Sequence, residues 1–420
     1  MSILKDKRIF LGVTGSIAAY KAAELASTMT QAGAHVDVIL TRAAEQFISP
    51  LTFQSLTGRK VYTDSELWGG ESHILHVGLG HAADLLLIAP ITANTIAKLA
   101  QGQANDLLSI TALAAQCPIL IAPAMDIGMY ENPATQENVR LLKERDILFA
   151  GPAQGRMASG LEGLGRMVEP NEIIGQTRKI LGKSGDLAGK KIIITAGGTQ
   201  EAIDPVRFIT NRSSGKQGYA LAQAAIDAGA EVTLISTPTA LKAPVGVSFL
   251  LAESAEEMLN AVLTESADAD VLIMAAAVAD FRPAKIAEKK LKKRDGIPQI
   301  TLEPAPDILK HLSSQKSGAS RPSLVVGFAA ESRDLLSNAA EKLKSKKLDL
   351  IVANDISAKD AGFNVENNRV ILLYADGQKE KLSLQSKYKI SKTILKRVAS
   401  MLNKEKVFNT GLLSIAKTEK

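Results

Sequence analysis

Two doubly wound α/β domains in tandem are the fold that the sequence predicts. The chain has 420 residues, which is too long for one ordinary hydrophobic core. Both halves open in the same way, with an apolar strand that ends in a turn rich in Gly and Thr and a second apolar strand further on. Continuous apolar strands that alternate with amphipathic helices are typical of a mostly parallel sheet covered on both faces, a Rossmann-like arrangement.

The predicted strands follow one another along each half. In the first half they are segments 8–16, which includes the turn, 32–41, 85–90 and 119–123. In the second half they are 191–199, again with the turn, 228–236, 271–275, 324–328 and 350–353. The polar, Gly-rich stretch 181–189 predicts the domain boundary. We therefore expect a first domain at 1–183, a linker at 184–189, a second domain at 190–403 and a tail at 404–420 without an assigned role.

Composition excludes several classes of function. The net charge of +6 and the pI near 9.1 suit small anionic substrates, while an aromatic content of 4% offers little for stacking nucleic-acid bases. A single cysteine, Cys117, cannot form an intramolecular disulfide or a multi-cysteine metal site. Since no apolar run reaches membrane-spanning length, we expect a cytoplasmic protein without nucleic-acid or membrane partners.

The Gly-rich turns predict phosphate binding of an unspecified kind. A turn between a strand and a helix presents backbone N–H groups and the positive end of the helix to an anion. Neither half contains G-x-G-x-x-G or G-x-x-x-x-G-K-[ST], so we do not expect an ordinary NAD dehydrogenase or P-loop kinase.

Five motifs occur in order within the first half. They are 12–21 (GVTGSIAAYK), 89–98 (APITANTIAK), 104–108 (ANDLL), 123–125 (PAM) and 163–167 (GLGRM). Together they resemble the flavoprotein family that decarboxylates cysteinyl groups. The resemblance implies bound FMN, which oxidises the substrate thiol to a thioaldehyde so that the neighbouring carboxylate leaves as carbon dioxide.

The same resemblance implies the site residues of the first half. FMN contacts are implied at Gly15, Ser16, Thr41, Thr92, Asn94, Ser109 and Met125, and substrate contacts at Arg166 and Met167. The family's catalytic base falls on His76 by aligned position, although His73 and His81 lie nearby in the sequence.

Two catalytic positions depart from the family's usual pattern. Asp126 stands where an asparagine commonly holds the substrate carboxylate, and Ser159 stands where a cysteine commonly donates a proton. A serine hydroxyl is much less acidic than a thiol with a pKa of about 8.5. Two hypotheses stay open. In the first, which the intact surrounding motifs favour, the first half is an active decarboxylase of a variant subfamily. In the second, the first half is a flavin-binding scaffold that does not decarboxylate, and only the second half is an active enzyme.

Six motifs occur in order within the second half. They are 195–199 (TAGGT), 204–215 (DPVRFITNRSSG), 275–281 (AAAVADF), 327–331 (GFAAE), 347–355 (KLDLIVAND) and 362–364 (GFN). They resemble the phosphopantothenate–cysteine ligase family, and the fusion resembles the bifunctional bacterial proteins of coenzyme A biosynthesis. This implies that CTP activates 4'-phosphopantothenate as an acyl-cytidylate and that cysteine then captures it. The amide is decarboxylated to 4'-phosphopantetheine by the first half. A triphosphate needs cations and a divalent metal, here Mg²⁺.

The ligase resemblance also implies site residues. The run of cations at 285–294 would by itself more often be a solvated face or a nucleic-acid patch, but by position it resembles the ligase's flexible flap, with Lys290 as the reactive lysine. Nucleotide contacts are implied at Ala276, Asp280, Lys290, Pro306, Asp307, Ile308, Phe328, Lys342 and Lys346, the last two at i,i+4 spacing on one helix face.

The remaining implied residues concern the acid substrate and its intermediate. Arg207, Ser213 and Gly215 would contact the substrate, and Asn211 would engage the acyl-nucleotide; no metal ligand is assigned. The family's assembly implies a homo-oligomer of ligase dimers on decarboxylase trimers, a dodecamer.

Overall fold

The structure is a computed structural model that describes residues 2–67, 75–293, 296–314, 321–331, 334–355 and 365–415. The chain divides into two compact units, Met1–Leu181 and Gly182–Lys420. His73, the last residue of the cationic run and the motif at 362–364 lie outside the described residues. Among the described helices, none combines the length and the apolar character needed to cross a membrane.

A six-stranded parallel sheet forms the centre of the first unit. Its strands are β1 (Arg8–Val13), β2 (His35–Leu40), β3 (Val61–Thr63), β4 (Leu85–Ile91), β5 (Ile119–Pro123) and β6 (Leu148–Phe149). They are ordered β3-β2-β1-β4-β5-β6. Because β1 pairs with both β2 and β4, the chain changes direction across the sheet there, and the carboxyl ends of these strands are where such folds bind ligands.

Helices cover both faces of this sheet. They are α1 (Ala19–Gln31), α2 (Pro50–Thr57), α3 (Leu75–Ala82), α4 (Ala93–Ala100), α5 (Leu107–Ala114), α6 (Ile127–Tyr130), α7 (Pro133–Glu144) and α8 (Pro170–Gly182). A hairpin of β7 (Ala153–Arg156) and β8 (Glu162–Arg166) stands apart from the sheet. Ile9 and Leu11 of β1 pack into one hydrophobic cluster and Phe10 into another, which explains why the strand is apolar along its length.

An eight-stranded sheet forms the centre of the second unit. The strands of this unit are β9 (Lys191–Ala196), β10 (Gln200–Ala202), β11 (Phe208–Thr210), β12 (Glu231–Ser236), β13 (Ser248–Leu251), β14 (Val271–Met274), β15 (Phe281–Pro283), β16 (Leu302–Pro304), β17 (Leu324–Glu331), β18 (Leu350–Asp355), β19 (Asn367–Tyr374) and β20 (Lys379–Ser386). The sheet is ordered β13-β12-β9-β14-β17-β18-β19-β20, and β10–β11 and β15–β16 form two small hairpins. Its first six strands are parallel, whereas β19 and β20 are antiparallel additions.

Two groups of helices cover this second sheet. The helices are α9 (Lys216–Asp227), α10 (Ala255–Ser266), α11 (Ile308–Ser314), α12 (Leu335–Ser345) and α13 (Lys387–Ile415). Residues of α9 and α13 share one hydrophobic cluster with Ile192 and Ile194 of β9, and residues of α10, α11 and α12 share the other with Ile193. Since neighbouring residues of a strand point to opposite faces, the two groups lie on opposite faces of the sheet.

The predicted fold class is confirmed: both units are doubly wound and mostly parallel. The antiparallel pair β19–β20 is an addition that the sequence analysis did not anticipate. The last helix runs to Ile415, so the segment at 404–420 begins as a continuation of α13.

Candidate active sites

Thr14 joins the carboxyl ends of β1 and β4. Its buried hydroxyl donates to the carbonyl of Pro90 at 2.9 Å and accepts from the backbone N–H of Thr92 at 3.1 Å. The turn at residues 14–18 therefore lies beside the start of α4, where the side chain of Thr92 caps the helix. Helix N-termini of this kind suit an anion.

Gly15 brings this turn against the loop that follows β2. A Cβ at Gly15 would lie 2.6 Å from the Cβ of Ala43, so any larger residue would push the two loops apart. The same loop begins with Thr41, a buried residue whose hydroxyl accepts from the N–H of Ala44 at 3.3 Å. Gly15, Ser16, Thr41 and Thr92 are thereby gathered around the ends of β1, β2 and β4.

The donors of this region fit a phosphorylated aromatic cofactor. Ser16 lies in the turn before α1, and Asn94 is exposed in the first turn of α4. Backbone N–H groups, hydroxyls and an amide suit a phosphate, while Ile17, 64% exposed on the same turn, offers an apolar contact to a ring system. Ser109 is placed differently, because it is buried and its hydroxyl is used in the cap of α5, where it donates to the carbonyl of Asp106 at 3.1 Å.

The two departures from the family's pattern contact each other. The hydroxyl of Ser159, between β7 and β8, donates to Oδ2 of Asp126 at 2.6 Å. Oδ1 of Asp126 accepts from the N–H of Gly128 at 3.1 Å and caps α6. The hydrogen bonds from Ser159 and Gly128 hold the pKa of Asp126 below its ordinary value. The N–H of Met125 donates to the carbonyl of Gly165 at 2.9 Å, which fixes β8 beside this carboxylate.

Arg166 and Met167 occupy different environments. Arg166 is exposed and forms an ion pair with Glu169 at 2.7 Å. The side chain of Met167 is 1% exposed in the core, so it can contact a substrate only through its backbone. Its carbonyl accepts from the buried ammonium of Lys21 at 3.1 Å, and Lys21 also pairs with Glu169 at 3.0 Å.

His76 lies half-buried in the first turn of α3. This helix packs against α5, which carries Ser109. His81, the other described histidine of this stretch, is exposed in the last turn of α3.

In the second unit, a cavity of about 880 Å³ opens at the carboxyl ends of β14, β17 and β18. Three of its lining residues are those predicted for the acid substrate and its intermediate, namely Asn211, Ser213 and Gly215. The others predicted from sequence are those expected to contact the nucleotide: Ala276, Asp280, Pro306, Asp307, Ile308, Phe328, Lys342 and Lys346.

Hydrogen bonds hold the loops around this cavity. Nδ2 of Asn211 donates to the carbonyls of Ala277 at 3.2 Å and Val278 at 3.3 Å, which places its amide on the segment that ends in Asp280. Gly218 lets α9 approach β9, since a Cβ there would lie 2.5 Å from the Cβ of Ala196. The start of α9 therefore lies against the strand ends.

Opposite charges are interleaved on the nucleotide side of the cavity. The ammonium of Lys346 pairs with Asp307 and faces Asp280, while burial lowers the pKa of Lys346. Lys342 lies one turn earlier on α12. Within the described part of the chain, no group of three or more His, Cys, Asp and Glu side chains could hold a metal. A magnesium ion would fit Asp280 and Asp307 only together with phosphate oxygens, which is its usual mode of binding.

Of the described residues that were predicted for the second unit, Arg207 and Lys290 lie outside the lining of this cavity. Nε of Arg207 donates to Asp204 at 3.0 Å, and its guanidinium also donates to the carbonyl of Leu291 at 2.9 Å. The N–H of Leu291 donates to Asp204 at 3.1 Å, so the segment that carries the exposed Lys290 is docked on the turn between β10 and β11. The hydrogen bond from Arg207 holds the pKa of Asp204 well below its ordinary value.

Several polar residues at the α9 side of the cavity were not predicted from the sequence. Asn354, Lys216 and Lys387 line it, and Oδ1 of Asn354 is buried without a hydrogen-bond partner among the described residues. Lys387 is 4% exposed, and Nζ donates to the carbonyl of Val365 at 2.6 Å. Burial, together with the charge of Lys216, lowers the pKa of Lys387 to about 8. Since the stretch around Lys387 contains several lysines, no sequence pattern distinguishes it.

Comparisons with known proteins match both units. The family model described as Flavoprotein matches residues 2–182, and the model of the DNA/pantothenate metabolism flavoprotein C-terminal domain matches 187–402. The chain is 45% identical over 402 residues to the Coenzyme A biosynthesis bifunctional protein CoaBC of Bacillus subtilis, covering 95% of this chain and 98% of that protein. It is 46% identical over 405 residues to the CoaBC protein of Vibrio vulnificus, covering 96% and 100%. A crystal structure of the C-terminal domain of a CoaBC protein, 42% identical, covers 53% of this chain and 100% of that domain with a TM-score of 0.45.

Proposed function

The chain belongs to the family of bifunctional coenzyme A biosynthesis proteins, and we propose that it makes 4'-phosphopantetheine in two steps. The second unit ligates cysteine to 4'-phosphopantothenate with CTP, and the first, flavoprotein unit decarboxylates the product with FMN bound. The observation that carries this proposal is the cavity of the second unit, which brings Asn211, Asp280 and Lys346 together at the strand ends.

The ligase step needs an anionic nucleotide to be held while a carboxylate attacks its α-phosphate. Lys342 and Lys346 would neutralise the triphosphate, and Asp280 and Asp307 are the residues that would hold a magnesium ion, which would supply further positive charge to the phosphates. Asn211, whose amide lies on the segment that ends in Asp280, holds the acyl-cytidylate until the amine of cysteine displaces CMP. Lys290 reaches the triphosphate only if the flap leaves its contacts with Asp204 and Arg207.

The decarboxylation step needs a proton-transfer group and a place for the cysteinyl end of the product. A bound flavin would take two electrons from the thiol and return them to the enethiol that remains after carbon dioxide has left, so that no outside oxidant is consumed. His76 would take the thiol proton, and Thr92, Asn94 and Ser16 are the residues that would hold the phosphate of the cofactor. The hydrogen bond between Ser159 and Asp126 supports an active variant, because the ionised carboxylate fixes the hydroxyl that stands in the place of the family's proton donor.

We also propose a cytoplasmic homo-oligomer with a dimeric ligase unit. Large apolar side chains are exposed on the two small hairpins of the second unit, namely Phe208, Phe281 and Leu302. Exposed apolar residues grouped on neighbouring hairpins support burial against a second copy.

Two separate assays test the proposed function. Pyrophosphate release from CTP should require 4'-phosphopantothenate, and its continuation beyond one equivalent per active site should also require cysteine, which tests the second unit. Carbon dioxide release from phosphopantothenoylcysteine under anaerobic conditions, without nucleotide, tests the first. If no pyrophosphate is released, the second unit is not the proposed ligase. If the first unit binds flavin but releases no carbon dioxide, it is a flavin-binding scaffold and not a decarboxylase.

A further inference from the structure

Lys21 is a buried charge without a role in either proposed reaction. It lies in the first turn of α1, directly after the turn at residues 14–18, and is 4% exposed. Burying an ammonium group costs free energy, and the helix dipole disfavours a cation in the first turn of a helix. Because both effects act against folding, the position of this lysine calls for a reason beyond the packing of α1.

The ammonium group of Lys21 contacts the segment that follows β8. It donates to the carbonyl of Met167 at 3.1 Å and pairs with the carboxylate of Glu169 at 3.0 Å. Glu169 pairs in turn with Arg166, the last residue of β8, at 2.7 Å. The hydrogen bond from Lys21 holds the pKa of Glu169 below its ordinary value, so the carboxylate is ionised at neutral pH. Lys21 therefore ties the start of α1 to the end of β8.

The hairpin of β7 and β8 depends on attachments of this kind. It is separate from the six-stranded sheet, and a two-stranded hairpin is at best marginally stable by itself. One face of β8 lies against the segment that begins α6: the N–H of Met125 donates to the carbonyl of Gly165 at 2.9 Å, and a Cβ at Gly163 would overlap the side chain of Ile127. Lys21 adds an attachment at the carboxyl end of the strand.

The tip of this hairpin carries Ser159. The N–H of Gly160 donates to the carbonyl of Met157 at 3.0 Å, and the N–H of Met157 donates to the carbonyl of Leu161 at 2.9 Å, so the tip is a closed turn. From this turn the exposed hydroxyl of Ser159 donates to Asp126 at 2.6 Å. A hydrogen bond between two oxygens spans about 2.5 to 3.0 Å, so a shift of the hairpin by about 1 Å would break it.

We propose, on the basis of the decarboxylase function above, that Lys21 is a positioning residue. It fixes the base of the β7–β8 hairpin, so that Ser159 at the tip stays in contact with Asp126. Because Lys21 directly follows the turn that contains Gly15 and Ser16, it also fixes the hairpin relative to the residues that would hold the cofactor. Its ammonium group acts through the hairpin, since it is buried and engaged by Met167 and Glu169.

The test uses the full-length, FMN-loaded protein and the initial rate of carbon dioxide release from phosphopantothenoylcysteine. The variants are Lys21→Met, Lys21→Arg, Glu169→Gln and, as a matched loss of one positive charge, Lys179→Met, which changes an exposed residue of α8. Each is made alone and together with Ser159→Ala. Hydrogen exchange of peptides from residues 153–166 reports the mobility of the hairpin. The flavin spectrum and the ligase rate with CTP, 4'-phosphopantothenate and cysteine show that both units are intact.

Lys21→Met should lower kcat for decarboxylation about tenfold and speed hydrogen exchange in the hairpin, with flavin and ligase rate retained. Glu169→Gln should cause a smaller loss, because Lys21 keeps the carbonyl of Met167, and Lys21→Arg should recover part of the activity. In the Ser159→Ala background, Lys21→Met should lower kcat by less than about twofold further, since the contact that it positions is already gone. Lys179→Met should behave as wild type.

Two results would overturn the positioning role. One is an unchanged kcat in Lys21→Met. The other is a loss in Lys21→Met that is as large with Ser159→Ala as without it, because Lys21 would then act independently of the hairpin tip. If Lys21→Met does not fold, Glu169→Gln with and without Ser159→Ala gives the same comparison. If wild type binds flavin but releases no carbon dioxide, the decarboxylase function fails, while hydrogen exchange still decides whether Lys21 anchors the hairpin.

Discussion

Replacing Lys387 by methionine should make the second unit more stable at neutral pH. The ordinary pKa of a lysine is about 10.4, and burial with the nearby charge of Lys216 lowers that of Lys387 to about 8. At about 1.4 kcal/mol for each tenfold change in proton affinity, holding the charged form in the folded protein costs at most about 3 kcal/mol. The carbonyl of Val365 loses its donor in the variant, which costs about 1 to 2 kcal/mol. The net gain is about 1 to 2 kcal/mol.

The pH dependence of this effect follows from the lowered pKa of Lys387. Below pH 8 the lysine is protonated in both folded and unfolded protein, so the cost is present in full. Between about pH 8 and 10.5 only the unfolded chain keeps the proton, so wild type gains stability relative to the variant as pH rises. Above that window both states are neutral, the cost is absent, and the variant loses its advantage.

Urea denaturation of the full-length wild type and variant at several values between pH 6.5 and 10.5 measures this difference. Hydrogen exchange of peptides from α9 and α13 assigns the transition to the second unit. Lys389→Met, in the same turn, should change stability little at any pH. A variant that is less stable than wild type at pH 7, by an amount that does not vary with pH, would refute the reasoning.

Three further predictions concern catalysis. His76→Asn should abolish carbon dioxide release from phosphopantothenoylcysteine while the flavin spectrum persists; full activity would remove His76 from the mechanism. Asn211→Asp should let acyl-cytidylate accumulate with little amide product, measured by mass spectrometry of quenched reactions; normal turnover would refute that role. Ser159→Ala should lower kcat for decarboxylation about tenfold. Because the hydrogen bond from Ser159 lowers the pKa of Asp126, its loss should also shift the acid limb of the pH profile to higher pH. Adding Asp126→Asn to this variant should then cause little further loss of activity. Full additivity of these two substitutions would show that the pair does not act as a unit.

Periodicity and turn chemistry predict most of the fold. The apolar strands at 8–13 and 191–196 are visible in the sequence because both sheet faces are covered. The pair β19–β20 was missed, although Asp376–Gly377 between two apolar or alternating segments is a hairpin signal, and Gly377 has a φ of +87°. That signal competes with charged neighbours, since β20 begins with three consecutive charged residues, Lys379, Glu380 and Lys381.

The resemblance to known families supplies the nucleotide side of the second-unit cavity and, next to α9, Ser213 and Gly215, but not Lys216, Asn354 or Lys387. Lys342 and Lys346 are recognisable because one helical turn separates them. Lys387 is distant from Lys216 in sequence, and only the packing of α13 against α9 brings the starts of the two helices together. Contacts of this kind, such as that between Ser159 and Asp126, depend on tertiary structure and leave no local pattern.

Cysteine labelled with carbon-13 in its carboxyl group gives the most direct test of the two-step account. We predict that the label first appears in an amide product and then in carbon dioxide, and that both require CTP, magnesium and 4'-phosphopantothenate in one reaction with the purified, FMN-loaded protein. Labelled amide that accumulates without labelled carbon dioxide would contradict the role of the first unit. Labelled carbon dioxide formed without CTP would contradict the order of the two steps.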